Sequence, residues 1–411
     1  MCSNDGLLSR RGKILRRPDD SRAAAPTARR VDAADLRFLA VDRPQSNDPA
    51  PGLRVLHVAE ALGGGIATAL EDYIRSTPGH AHTVLGYRRP EAQTGDELER
   101  LATRLLLLPE GRLAQIRTVR RWVRELQPDI IHAHSTYAGL YVRLFVRAPA
   151  ATLIYTPHAY PFERRDIPAA LRSVYWLIEA LLSLRGGCVA AVGPREVELA
   201  ERLPGKQVVV HLPYVARTVR PAPPASVQDR SAEGELRLAM LGRISPQKGP
   251  DFFRRAVELS QASALPLRWI WIGGGEAADE RALREAGAEV TGWLSRSQAL
   301  AWLATADVYV HTAAWEGLPL SMLEAAALGL PMVARRIPAL ESLGLPLLCD
   351  SPEALIAALG PLVDERRRDA LRAYSWLLAE RHRPAAQRQA LDLAYSLGSA
   401  ARARTAQESL R

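Results

Sequence analysis

The sequence predicts an α/β protein built from two consecutive doubly wound, Rossmann-like units that face each other across a cleft. Three observations carry this. The chain has 411 residues, beyond the size at which one core usually stops growing. From Leu53 onward, short apolar runs alternate with longer stretches of helical periodicity, as a parallel sheet covered by helices requires. The alternation breaks at the proline-rich, small-polar stretch Arg220–Gly234 and then resumes.

Residues 1–51 combine Arg, Ala, Pro and Asp with little apolar periodicity, which predicts a disordered basic tail without the apolar core of a signal peptide. The first unit, residues 52–219, has strands predicted at Leu53–Ala59, Thr83–Tyr87, Ile130–His132, Thr152–Thr156, Cys188–Val192 and Val208–Leu212. Residues 220–234 form the linker. The second unit, 235–363, has strands predicted at Leu236–Leu241, Arg268–Ile272, Glu289–Val290, Val308–His311 and Pro331–Ala334. Residues 364–411 read as helices punctuated at Pro384, whose apolar positions, among them Leu391 and Tyr395, are accounted for if the chain crosses back to the first unit. Ligands of such open sheets bind outside the carboxyl ends of the strands, so chemistry is expected in the cleft.

Hydrophobic residues at 47% and charged residues at 24% fit a soluble globular chain. The net charge of +9 predicts an anionic partner without choosing among nucleic acid, a membrane surface and phosphorylated substrates. No zinc module or basic-aromatic stacking pattern is present, so nucleic acid is not expected. Cys2, Cys188 and Cys349 are too scattered for a disulfide framework or a zinc site and suit a reducing cytoplasm. The most apolar helix, about Leu171 to Leu184, contains Arg172 and Glu179 and falls short of the roughly 20 apolar residues of a membrane span. A helix over Arg112–Leu126 sets Ile116, Val119, Val123 and Leu126 on one face and Arg117, Arg120, Arg121 and Arg124 on another, a pattern that suits either an anionic membrane surface or the cover of a sheet.

The most specific segment runs from Trp315 to Pro331. It follows a predicted strand, and Pro319 and Gly329 punctuate a helix between them. The free N–H groups of that helix's amino end can receive phosphates. Glu316 stands ahead of this end and Glu324 about one turn inside it, and carboxylates are good acceptors for sugar hydroxyls. At the end of the second unit's first strand, Gly242-Arg243 leads to Lys248-Gly249, and fixed cations there would stabilise a departing diphosphate. Gly63, Gly64 and Gly65 follow the first strand and let a ligand approach the backbone, although Thr68 replaces the last glycine of a dinucleotide fingerprint. His132, His134 and His158 lie at or just beyond strand ends, where imidazoles can bond sugar hydroxyls; His132 reads as structural.

These segments together resemble the family-4 glycosyltransferases of the GT-B fold, over about Leu53 to Tyr395. The resemblance implies that Glu316 contacts the donor sugar and Glu324 the ribose, and that Arg243 and Lys248 bind the donor diphosphate. It places His158 in the active site, Gly64 and Gly65 beside the phosphates and acceptor, Gly273 and Gly275 in a turn near the nucleotide, Gly292 where the backbone meets the base, and Leu318 and Leu320 at the donor-binding helix end. It implies retaining transfer from a nucleoside-diphosphate sugar to a glycan or polyprenyl-linked acceptor, with the departing phosphate taking the acceptor's proton. The runs His134–Gly139 and Tyr155–Asp166 look most like members that build capsular or exopolysaccharide chains. No two aspartates are separated by one residue, so the D-x-D metal motif is absent; neither metal nor cofactor is expected. The expected location is the cytoplasm, at the inner face of the membrane. Two rivals are a non-catalytic sugar-nucleotide or polyanion-binding protein on the same fold, against which intact Glu316, Lys248 and His158 speak, and a nicotinamide oxidoreductase, whose fingerprint is incomplete.

Overall fold

The computed structural model describes residues 29–30, 52–88, 96–148, 150–217, 235–263 and 265–409. The first sheet comprises β1 (Arg54–Leu62), β2 (Ala81–Arg88), β3 (Arg104–Leu107), β4 (Ile130–His134), β5 (Thr152–Thr156), β6 (Cys188–Ala191) and β7 (Val208–His211). Its order is β3-β2-β1-β4-β5-β6-β7, with Arg29–Arg30 paired at the β7 edge. The second sheet comprises β8 (Leu236–Leu241), β9 (Leu267–Ile272), β10 (Glu289–Val290), β11 (Val308–His311), β12 (Met332–Arg335) and β13 (Leu348–Cys349), in the order β10-β9-β8-β11-β12-β13. Every described pairing is parallel, and each order reverses beside its first strand, between β1 and β4 and between β8 and β11. Both domains therefore have the dinucleotide-fold winding, whose ligand crevice opens at that reversal.

The central strands form where aliphatic runs can be buried on both faces; all of Ile130–His134 and all of Val308–His311 are buried. Three strand segments escape the sequence reading, the first being Arg29–Arg30, which pairs with Val208–Val209 although residues 1–51 read as a disordered tail. β3 is a leucine-rich edge strand with no fully buried residue, and β13 has two residues. The linker 220–234 lies outside the described residues, as does the tail 1–51 apart from Arg29–Arg30.

Helix α1 (Gly64–Ser76) covers one face of the first sheet. The opposite face carries α2 (Arg112–Leu126), α3 (Thr136–Phe145), α4 (Ala169–Ser183) and α5 (Pro194–Glu201). On α2, Val119 and Val123 are buried in the core cluster beneath, so its apolar face covers the sheet and is not available to a membrane. Its arginines look outward, together with Glu125 and, at its start, Leu113.

The carboxyl-terminal helices divide their loyalties. Helix α6 (Glu365–Arg381) packs on the second domain, where the Ser375 hydroxyl donates to the Leu330 carbonyl at 2.6 Å. Gly329 makes room for it: its φ is +71°, and a Cβ there would lie 2.4 Å from the Trp376 ring. Helix α7 (Pro384–Ser409) crosses to the first domain, as its apolar positions predict, burying Leu391, Ala394 and Tyr395 beside Tyr73 of α1. The crossing is pinned at its start. Ala216 N–H donates to the His382 carbonyl at 2.8 Å, His382 Nδ1 donates to the Tyr214 carbonyl at 3.0 Å, and Gln387 Nε2 donates to the Pro213 carbonyl at 3.0 Å.

Candidate active site

On the second domain, the loops after the two switch-point strands are stitched together. After β8, a tight turn at Pro246–Lys248 brings Lys248 Nζ to 2.5 Å from Glu316 Oε1, and Gln247 Nε2 donates to Glu316 Oε2 at 3.3 Å. Thr312 Oγ1 donates to the Lys248 carbonyl at 2.9 Å and Ala314 N–H to the Gln247 carbonyl at 2.8 Å. Gly249, at φ +67°, permits this closeness, because a Cβ would lie 2.3 Å from the Thr312 carbonyl oxygen. His311 Nε2 lies 3.8 Å from Glu316 Oε1, but burial, with Lys248 adding to it, holds the imidazole well below its usual pKa, so it is neutral. Arg243 is exposed at the start of the same loop.

Helix α8 (Leu320–Ala327) begins just beyond Glu316, and Pro319 at its amino end provides no side-chain cap, so its first N–H groups are open to a ligand. Glu324 on this helix accepts from Arg296 Nη2 at 2.9 Å, while Arg296 Nη1 donates to Thr68 Oγ1 on α1 at 3.1 Å. Burial raises the Glu324 pKa, and Arg296 opposes that rise. Gly273 and Gly275 line the back of this wall: Cβ atoms there would come within 2.3 Å of the Gly242 carbonyl oxygen and 2.6 Å of Ile244 Cβ. Both glycines thus let the Arg243 loop pack closely on the turn. Gly292, at φ +70°, faces open space beside the exposed Trp293.

The first domain supplies the facing wall. A Cβ on Gly65 would lie 3.3 Å from Leu320 Cδ1, so the glycine loop abuts the amino end of α8. Leu318 is buried and turned toward Gly193 of the first domain, where a Cβ would meet its own Cβ at 3.4 Å. Gly317 presses on the turn after β5: a Cβ there would lie 2.4 Å from Glu196 Oε1 and 2.8 Å from Ala159 N. In that turn His158 and Ala159 both have left-handed backbone, at φ +53° and +83°. The buried Glu196 carboxylate holds it, accepting from Ala159 N–H at 2.5 Å and Val192 N–H at 3.0 Å. Burial pushes the Glu196 carboxyl up to about 7 despite both donors.

Behind the turn runs a line of imidazoles across the α1 face of the sheet. His158 Nε2 meets His134 Nδ1 at 3.1 Å, His134 Nε2 meets His57 Nδ1 at 3.0 Å, and His57 Nε2 meets His82 Nδ1 at 3.0 Å. His82 Nε2 bonds the Thr77 carbonyl at 3.0 Å. A carbonyl only accepts, so His82 must donate from Nε2, and each ring up the line must then donate from Nε2 and accept at Nδ1. At the cleft end, the Tyr214 hydroxyl donates to His158 Nδ1. Burial lowers the His158 pKa to about 3 and holds His134 and His57 well below their usual value, keeping the line uncharged. His132 donates or accepts at Thr156 Oγ1, at 2.8 Å, off this line and inside the core, in keeping with a structural role. Nitrogens of His57, His132 and His134 lie within 4.8 Å of one another.

The structure thus brings Glu316, Lys248, Arg243, Glu324, Leu320, Gly64, Gly65 and His158 to one interdomain cleft. Both ring nitrogens of His158 bond within the protein. Sequence reasoning misses Glu196, Arg296 and Tyr214. For Glu196 a signal exists, because it stands in the first turn of a helix opened by Gly193-Pro194.

Comparison with known proteins agrees with this architecture. Residues 64–214 match the family model described as a glycosyl transferase 4-like domain, and residues 235–365 match that of the glycosyl transferases group 1. An uncharacterized 41.2 kDa protein in the cps region of Klebsiella pneumoniae is 23% identical over 303 residues, covering 70% of this chain and 82% of that protein. The Escherichia coli UDP-Gal:alpha-D-GlcNAc-diphosphoundecaprenol alpha-1,3-galactosyltransferase is 25% identical over 227 residues, covering 51% of this chain and 58% of that protein. Among solved structures, Anabaena HepE in complex with UDP and glucose superposes with a TM-score of 0.68 at 16% identity, covering 84% of this chain and 100% of that one.

Proposed function

We propose, from the premise that this chain belongs to the family-4 glycosyltransferases of the GT-B fold, that it carries out retaining transfer of a sugar from a nucleoside-diphosphate donor to a polyprenyl-linked glycan in the synthesis of a cell-surface polysaccharide. The observation that carries this reading is the Lys248–Glu316 pair at the β8/β11 switch point, at the foot of the uncapped amino end of α8 and across from the His158 turn. Lys248, Arg243 and the helix end oppose the charge that grows on the diphosphate as the bond to the anomeric carbon breaks. Glu316 accepts hydroxyls of the sugar, and Glu324 takes the ribose once Arg296 yields its carboxylate. The acceptor hydroxyl attacks the same face; a new C–O bond forms, and the departing phosphate oxygen takes the acceptor's proton. No protein base is required and no metal. The relative named for a diphosphoundecaprenol-linked substrate and the one from a cps region support the acceptor and pathway. A nucleoside-diphosphate panel in a thermal-shift assay, followed by transfer assays with the sugar donors of the base that stabilises most, tests the reading. Stabilisation by one base and transfer from its sugar is the expected result. Stabilisation without transfer to any lipid-linked acceptor would favour a non-catalytic binder.

A further inference from the structure

Helix α4 carries an exposed apolar stripe that the rest of the described chain leaves uncovered. Leu171, Val174, Trp176, Leu177, Leu181 and Leu184, on and just past this helix, are between 41% and 61% exposed. Glu179, which interrupts the apolar run in sequence, turns inward: it is 1% exposed, pairs with the buried Arg143 at 2.8 Å and accepts from the Tyr155 hydroxyl at 3.1 Å. The outward stripe is thereby free of acid. Neighbouring α3 continues it with exposed Leu144 and Phe145, and beyond α3 stands the arginine face of α2. Along the chain, exposed Arg165, with Asp166 beside it, precedes the helix, exposed Arg185 follows it, and exposed Arg147 follows α3. Among the described residues no helix is long and apolar enough to cross a membrane.

We propose that this face docks the enzyme on an anionic lipid surface, with the α4 stripe in the interfacial layer and the arginines against the headgroups. An apolar patch of this extent marks a contact surface, and apolar residues edged by arginine are the composition of an interfacial helix. A second copy of this chain fits less well, because a twofold contact through α4 sets the arginine border of one copy against that of the other. The helix also packs on the short turn Pro161–Glu163 that directly follows the His158 turn, so docking on it sets the first domain's wall of the cleft near the bilayer. Docking draws its purpose from the polyprenyl-linked acceptor proposed above, and it is measured without any transfer.

The measurement is flotation of the full chain with vesicles of neutral phosphatidylcholine and with vesicles that also contain phosphatidylglycerol, for wild type and for the double variant Leu177→Glu, Leu181→Glu. Wild type is expected to float with the anionic vesicles and to lose that binding as salt rises. The variant is expected to bind at least about tenfold less, since each buried leucine is worth roughly that factor. Circular dichroism and a nucleotide thermal shift equal to those of wild type establish that the variant is folded. Equal flotation of variant and wild type overturns the assignment. So does a wild-type dimer in analytical ultracentrifugation that the variant converts to monomer, which would make the face a contact between copies. Binding to vesicles by an enzyme that transfers no sugar would instead leave docking intact and remove the catalytic reading.

Discussion

At the scale of single residues, the cleft is a set of charges arranged to hold one another until a ligand arrives. Lys248→Ala should weaken donor binding and transfer by about 10- to 150-fold, the effect of removing a charge-assisted contact of about 1.5–3 kcal/mol. Titration with the nucleoside diphosphate and initial-rate assays check this, and wild-type activity should persist in excess chelator. Glu316→Gln should keep the fold and lose most transfer, because its carboxylate faces Lys248 and the cleft rather than an apolar core. Glu196 adds a pH signature. Burial raises its carboxyl from 4.5 to about 7. Between those values the folded protein holds a proton that the unfolded chain releases, so this group's contribution to stability is full below about pH 4.5 and declines as pH rises to about 7. Urea unfolding at pH 5 and pH 8 should therefore show a difference between wild type and Glu196→Gln that changes by about 2–3 kcal/mol across that span. The motif residues are legible in the sequence because glycine and proline punctuate them. Arg296 and Tyr214 are not, and Glu196 is legible only as an acid in a helix's first turn, because each acts through a partner far along the chain: Glu196 on Ala159, Arg296 on Thr68, Tyr214 on His158.

At the scale of elements, the two walls touch where glycines stand. Gly317→Ala places a methyl against Glu196 Oε1 and the backbone of Ala159. Overpacking at such a contact costs about 1–3 kcal/mol, so the loop should lift from the His158 turn and kcat should fall while the midpoint of unfolding drops modestly. The buried imidazoles bias the molecule against acid. His57, His132, His134 and His158 all have their pKa lowered by burial, so the unfolded chain takes up protons near pH 6.5 that the folded protein refuses. Their contribution is complete above about pH 6.5 and falls below it, by up to about 1.4 kcal/mol per pH unit for each ring. Equilibrium unfolding between pH 7 and pH 5 should show that loss, shallower in His57→Asn. Periodicity identifies strands such as Ile130–His134 and Val308–His311 because they are apolar and central, and misses β3 because an exposed Leu-rich edge carries no such pattern. It also finds the amphipathic face of α2 without saying which side the sheet occupies. For α4 the run is apolar nearly all round, and only the inward turn of Glu179 reveals which side is left to solvent.

At the scale of the whole molecule, the two-domain architecture is readable from alternation and a proline-rich break, whereas the contacts between domains are not, since they join residues that share no local pattern. The final helix is the exception, because its apolar positions have nothing to cover unless it crosses over. That crossing has a consequence for synthesis. Tyr73 emerges early from the ribosome, but the helix that buries it beside Tyr395 begins only at Pro384, after the entire second domain has been made. The amino-terminal domain, although first to appear, is the last to be completed. Until then its α1 face, with the imidazole line beneath it, stays open to water. A nascent chain halted before Pro384 should therefore present that face to chaperones, and pulse proteolysis of stalled chains should show it becoming protected only when the last helix is released.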